Sequence, residues 1–72
     1  MSFDLFRYGN LVVVLSILVE CNDEGREEGR VVVYDLDYDT GRQMVREFYE
    51  FTGRAQKETS IANALRVAAD YI

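Results

Sequence analysis

The apolar residues of the chain fall into segments with two different periods. From Leu11 to Cys21 the odd positions Leu11, Val13, Leu15, Ile17 and Val19 are all apolar and the even positions are apolar in part. That pattern predicts a strand in the interior of a sheet. Upstream, Phe3 to Tyr8 predicts a shorter strand that pairs back through Gly9-Asn10, a dipeptide suited to a two-residue primed turn. Asn22 to Gly29 is polar and reads as a loop between antiparallel neighbours, and Val31 to Asp37 as a further strand. Residues 42–52 fit two periods, since Met44, Val45, Phe48 and Phe51 also suit a helix. The β-favouring Val45, Phe48, Tyr49, Phe51 and Thr52 predominate there, so a return strand is expected. After Gly53 the period changes: Ile61, Ala64, Leu65, Ala68 and Ile72 share one helical face, and Thr59 or Ser60 supplies an N-cap.

The sharpest junction is Asp37-Tyr38-Asp39-Thr40-Gly41-Arg42, where Asp can cap a turn and Gly accepts positive φ. These six residues resemble the D-x-x-T-G-K/R hairpins of β-propeller repeats. A single copy in 72 residues supports the turn and not a propeller. A four-residue loop from Tyr38 to Gly41 sets Asp37 opposite Arg42 and, carried outward, Val31 opposite Phe48. One face of the hairpin then holds Val32, Tyr34, Leu36, Val45, Tyr49 and Phe51, broken only by Glu47, and is expected to meet Ile61, Leu65, Ala68 and Ile72 in the core. On that packing, Leu65→Asp unfolds the domain. The expected architecture is α+β: an antiparallel meander of three or four strands with one C-terminal helix on one face, as a single small domain over residues 1–72.

One helix covers only part of one sheet face. The other face, with Val31, Val33, Met44 and Phe48 and with Val12, Val14 and Leu18 beside them, is then a candidate surface for self-association. Length points the same way, because a domain this short buries only about 60% of the surface of its unfolded chain and gains from a partner.

Composition narrows the chemistry. The chain has no His, no Pro, no Trp and one Cys, so it lacks a His base, a His-containing metal site and an internal disulfide. Cys21 reads as a reduced thiol at a strand end. The run from Leu11 to Val19 is far short of the roughly 20 residues that span a bilayer. As a secretory signal it lacks small residues before Cys21. A cytoplasmic protein without membrane contact is expected.

Asp35, Asp37 and Asp39 alternate like the opening of a calcium loop, but the sixth position is Thr40 and the twelfth is Arg46. No metal or other cofactor is therefore expected. On a strand, Asp35 and Asp37 face Arg42 and Arg46 instead. Ser16 and Ser60 have no activating base, and the lone Lys57 lies in a stretch that reads as a solvated connection. No enzymatic activity is expected.

Thirteen acidic against eight basic residues give a formal charge of -5, which disfavours direct contact with a nucleic-acid backbone. The acidic residues Asp23, Glu24, Glu27, Glu28, Asp35, Asp37 and Asp39, with Glu20, form the remaining candidate site, one that steers a partner with a basic surface. In size and charge the chain resembles small acidic phage inhibitors, including anti-CRISPR and anti-restriction proteins, which occupy nucleic-acid-binding grooves. That resemblance implies a viral protein acting in the host cytoplasm on a nucleic-acid-handling complex. The alternative is a structural homo-oligomer, such as a homodimer, or an accessory assembly subunit.

Overall fold

The computed structural model describes residues 1–70 and shows an α+β fold. Strands β1 (Ser2–Tyr8), β2 (Leu11–Cys21), β3 (Glu27–Asp37) and β4 (Gln43–Thr52) are followed by helix α1 (Arg54–Ala69). The strands form one antiparallel sheet in the order β1, β2, β3, β4, so each pairs with its sequence neighbour. Tyr8 lies opposite Leu11 across Gly9-Asn10, and the Asp37 amide donates to the Arg42 carbonyl at 2.9 Å across the four-residue turn. Both turns are as the sequence predicts. The segment 42–52 is a strand, and strand β3 starts at Glu27, inside the expected loop.

The register departs from the uniform one at a single residue. Tyr34 pairs with Val45, as the turn requires, but Val33 pairs with Glu47 and Val31 with Tyr49. Arg46 is an extra residue on β4, a bulge that brings Arg46 and Glu47 to the same side of the sheet. A second bulge inserts Leu5 into β1.

The helix packs on the face that carries Val13, Leu15, Val31, Val33, Tyr49 and Phe51. Tyr49 and Phe51 are thus core residues as expected. Val31 and Val33 are fully buried there, so they belong to the core and not to an oligomer surface. Val32, Tyr34, Leu36 and Val45 lie on the opposite face, which corrects the expected core. The β4 bulge and the parity of β3 give this outcome: Gly29, Val31 and Val33 form the row that meets the helix, and Gly29 leaves room for Phe51.

The helix begins at Arg54, five residues before Thr59. Gly53, at φ 91°, turns the chain out of β4, and its carbonyl accepts the first helical bond from the Lys57 amide at 3.0 Å. Gln56 reaches back to accept from the Thr52 amide at 2.9 Å, one residue before the N-cap Gly53, whose own amide donates to the Glu27 carbonyl at 2.6 Å. Lys57 pairs with Glu27 of β3 and ties the first turn to the sheet. The stretch expected to be a solvated connection is therefore helical.

The buried stripe of α1 is Ser60, Ala64 and Ala68, flanked by Ile61. Small side chains let the helix axis approach the flat Val31 and Val33 surface. Leu65 stands beside this stripe and is 45% exposed, contrary to the expected core. Ile72 lies outside the described residues.

Two stability measurements test this packing. Leu65→Asp should retain a cooperative thermal transition near the wild-type midpoint, whereas Ala64→Asp should abolish it by placing a charge against Val31 and Val33. A Cβ on Gly29 would lie 1.9 Å from the Leu18 carbonyl oxygen and 3.2 Å from the Phe51 ring. Gly29→Ala should therefore lower stability by at least about 1–3 kcal/mol in a denaturant titration.

Candidate functional site

The acidic residues singled out from the sequence separate into two groups at opposite ends of the long strands. Asp23, Glu24, Glu27 and Glu28 lie at the β2–β3 turn, and Asp37 and Asp39 at the β3–β4 turn. An eleven-residue strand lies between the two ends, a span of about 33 Å. Asp35 belongs to neither group.

Asp35 is buried on the helix-side face between Val13 and Met44. Its Oδ2 accepts from Arg46 Nε at 2.8 Å and Nη2 at 2.5 Å, and its buried Oδ1 has no hydrogen-bond partner. The bulge is what aims Arg46 at this carboxylate. Asp35 is thus a structural ion-pair member and is removed from the candidate partner surface. The expected facing of Asp35 and Arg46 across the hairpin is present.

Three more of the predicted acids hold the fold. Asp37 Oδ1 accepts from the Asp39 amide at 2.9 Å and caps its own turn. Asp39 accepts from Asn10 Nδ2 at 2.5 Å, and the Tyr38 amide donates to the Asn10 carbonyl at 2.9 Å, so the β1–β2 and β3–β4 turns are joined. Glu27 is taken by Lys57. With Asp37 folded back and Asp35 held by Arg46, the alternating aspartates do not converge on a common centre.

Asp23, Glu24 and Glu28 remain, and the register adds two residues. Glu28 lies between Glu20 and Thr52, and Arg30 lies between Leu18 and Glu50 in the adjoining row. Among the described residues, none of Glu20, Asp23, Glu24, Glu28 and Glu50 forms an ion pair. A shallow depression of about 540 Å³ at this end is lined by Leu18, Glu20, Glu28, Arg30, Phe48 and Glu50, among others. Glu50 escapes a reading by local clusters because only the pairing of β4 with β3 brings it to the acidic end.

The sheet face away from the helix is the second feature. Val32, Tyr34 and Leu36 are half-buried on it, Leu18 is 47% exposed, Phe48 46% and Val45 61%. Val12 and Val14 are buried on the same face, flanked in register by Arg7 and Leu36 and by Asp4 and Tyr34. Arg7 lies over the Tyr38 ring at 5.1 Å and closes that corner. Of Val31, Val33, Met44 and Phe48, expected to form an oligomer surface, only Phe48 is here, joined by Val12, Val14 and Leu18, which were expected beside them. Met44, 67% exposed, lies opposite Asp35 on the helix side.

Among the described residues no helix is long and apolar enough to cross a membrane, and no three His, Cys, Asp or Glu side chains gather as a metal site. Comparison with protein-family models, with curated proteins and with solved structures finds no match.

The ion pair gives a direct test. Arg46→Ala leaves a buried carboxylate without its guanidinium and should destabilise the chain by about 1–3 kcal/mol in a urea titration, less than for a fully buried pair because Arg46 is half-exposed. Adding Asp35→Leu should recover much of that loss.

Proposed function

We propose that this protein is a non-catalytic binding module that docks a basic protein surface through the acidic end of its sheet. The most concrete form of this reading is a small inhibitor of a nucleic-acid-handling protein, of the anti-CRISPR or anti-restriction type, working in the host cytoplasm. The observation that carries it is the set of uncompensated carboxylates Glu20, Asp23, Glu24, Glu28 and Glu50 around the β2–β3 turn.

The physical argument separates working carboxylates from structural ones. A carboxylate already paired with Arg46 or Lys57 has less charge to offer a partner, and Asp37 and Asp39, held by neutral amides, lie at the far end of the sheet. The five groups outnumber Arg26 of the same turn and Arg30 of the adjoining row, and the net negative charge raises the rate of encounter with a cationic surface and repels nucleic acid from the same place. Their spread over three strands and a turn offers several negative points to a groove lined by Lys and Arg. This arrangement needs no pocket, nucleophile or cofactor.

The test is a triple reversal, Asp23→Lys, Glu24→Lys and Glu28→Lys, which avoids Glu27, Asp37 and Asp39 because those residues hold the fold. Tagged wild-type chain should capture a basic protein from nuclease-treated host lysate in a salt-sensitive manner and reduce that protein's binding to nucleic acid. The reversed chain should keep its thermal midpoint and lose both effects. Capture that is unaffected by the reversal, or that leaves nucleic-acid binding intact, would overturn the proposal.

A further inference from the structure

The helix-free face of the sheet, which carries Glu20, Glu28 and Glu50 at one end, points to a further use. We infer that a second copy of this chain stacks on it, forming a two-fold β-sandwich dimer with the helices outermost.

Area is the first argument. Strands about 4.8 Å apart and about 33 Å long give the four-stranded sheet a footprint of roughly 500–600 Å². Specific interfaces begin near 600 Å² per partner, so a dimer here is at the small end of that range and takes up nearly the whole face, margins included. The chain exposes 5024 Å², against about 4,600 Å² for a compact monomer of 8.3 kDa. The excess is of the same order as the uncovered face.

The pattern on the face is the second argument. Val32 and Tyr34 of β3 and Val45 and Phe48 of the edge strand β4 form an apolar patch, while Asp4, Arg7, Glu20, Glu28, Arg30 and Glu50 stand around it. An apolar patch with a charged rim is the anatomy of an association surface. Stacked sheets interdigitate their inner rows at about 10 Å separation, and a two-fold axis makes one patch serve both copies. Packing the strands antiparallel keeps the two Glu20, Glu28 and Glu50 clusters apart, at opposite ends of the sandwich. Asp23 and Glu24, in the turn beyond the strands, stay outside the contact.

The edges are the third argument, because they disfavour the competing mode of self-association. Both bulges, at Leu5 and at Arg46, are in the two edge strands β1 and β4. A bulge interrupts the ladder that edge-to-edge pairing would extend. The face is left as the surface through which two copies can meet.

Neighbouring residues allow a discriminating experiment. Val45 and Met44 are similarly exposed, at 61% and 67%, and lie on opposite sides of the sheet. Sedimentation equilibrium of the full chain from micromolar to millimolar concentration should show a species of twice 8.3 kDa, with a thermal midpoint that rises with concentration. Val45→Glu and Phe48→Glu should each weaken dimerisation by about 30-fold or more, and Met44→Glu should leave it unchanged. A monomer at every concentration with a constant midpoint overturns the inference, as does equal disruption by Met44→Glu. The wild-type concentration series stands without any variant.

Discussion

The close approach of one small-residue helix stripe to one flat patch of the sheet is the contact on which the rest of the molecule depends. Ser60, Ala64 and Ala68 present almost no side-chain volume, so α1 lies directly on Val31, Val33 and Phe51. Every other feature of the interior serves that approach. Gly29 admits the Phe51 ring, Gly53 swings the chain out of β4, and Lys57 joins the first helical turn to Glu27. A helix with large residues in this stripe would stand farther from the sheet and would leave the valines partly hydrated. Because the chain has a single helix, the arrangement satisfies one face and leaves the other without a cover.

The strand and turn pattern was legible in the sequence almost throughout. Alternation in Leu11 to Val19, the Gly9-Asn10 turn and the Asp37 to Arg42 turn led directly to the meander. What the alternation could not show was which parity of β3 faces the helix, since Val31, Val32, Val33 and Tyr34 are all apolar. The bulge decided the matter for β4. One extra residue at Arg46 exchanges the faces on either side of it, so Val45 and Tyr49 share a face in an ideal ladder and lie on opposite faces here. The charge of Glu47 within an otherwise apolar row was the local sign of that irregularity. Leu65 misled for a related reason: a helical period marks a broad stripe, and the close-packed centre of this one is made of Ala and Ser.

Charge followed a similar division. Spacing identified the acidic residues but not their obligations, which depend on partners distant in sequence. Arg46 lies eleven residues from Asp35, Asn10 twenty-nine from Asp39, and Lys57 is brought to Glu27 only by the unexpected first turn of α1. Once those pairs are set aside, Glu20, Asp23, Glu24, Glu28 and Glu50 gather at one end of the sheet, and Asp37 and Asp39 at the other are held by neutral amides. Glu50 joins them through register alone. The candidate site is therefore smaller than the total acidity implied, and more localised.

The same economy explains why an open apolar face and an acidic end occur together. A short chain that cannot build a second covering layer is exposed to nonspecific association. Here the margins limit it: bulges interrupt both edge strands, Arg7 closes over Tyr38 at one corner, and like charges crowd the opposite end. In the inferred dimer the Glu20, Glu28 and Glu50 end constrains the stacking, because a parallel stack would superpose those carboxylates and an antiparallel one separates them. That charge thus selects one geometry for the inferred pairing. That geometry places an acidic turn at each end of the assembly, where two basic surfaces could be engaged at once.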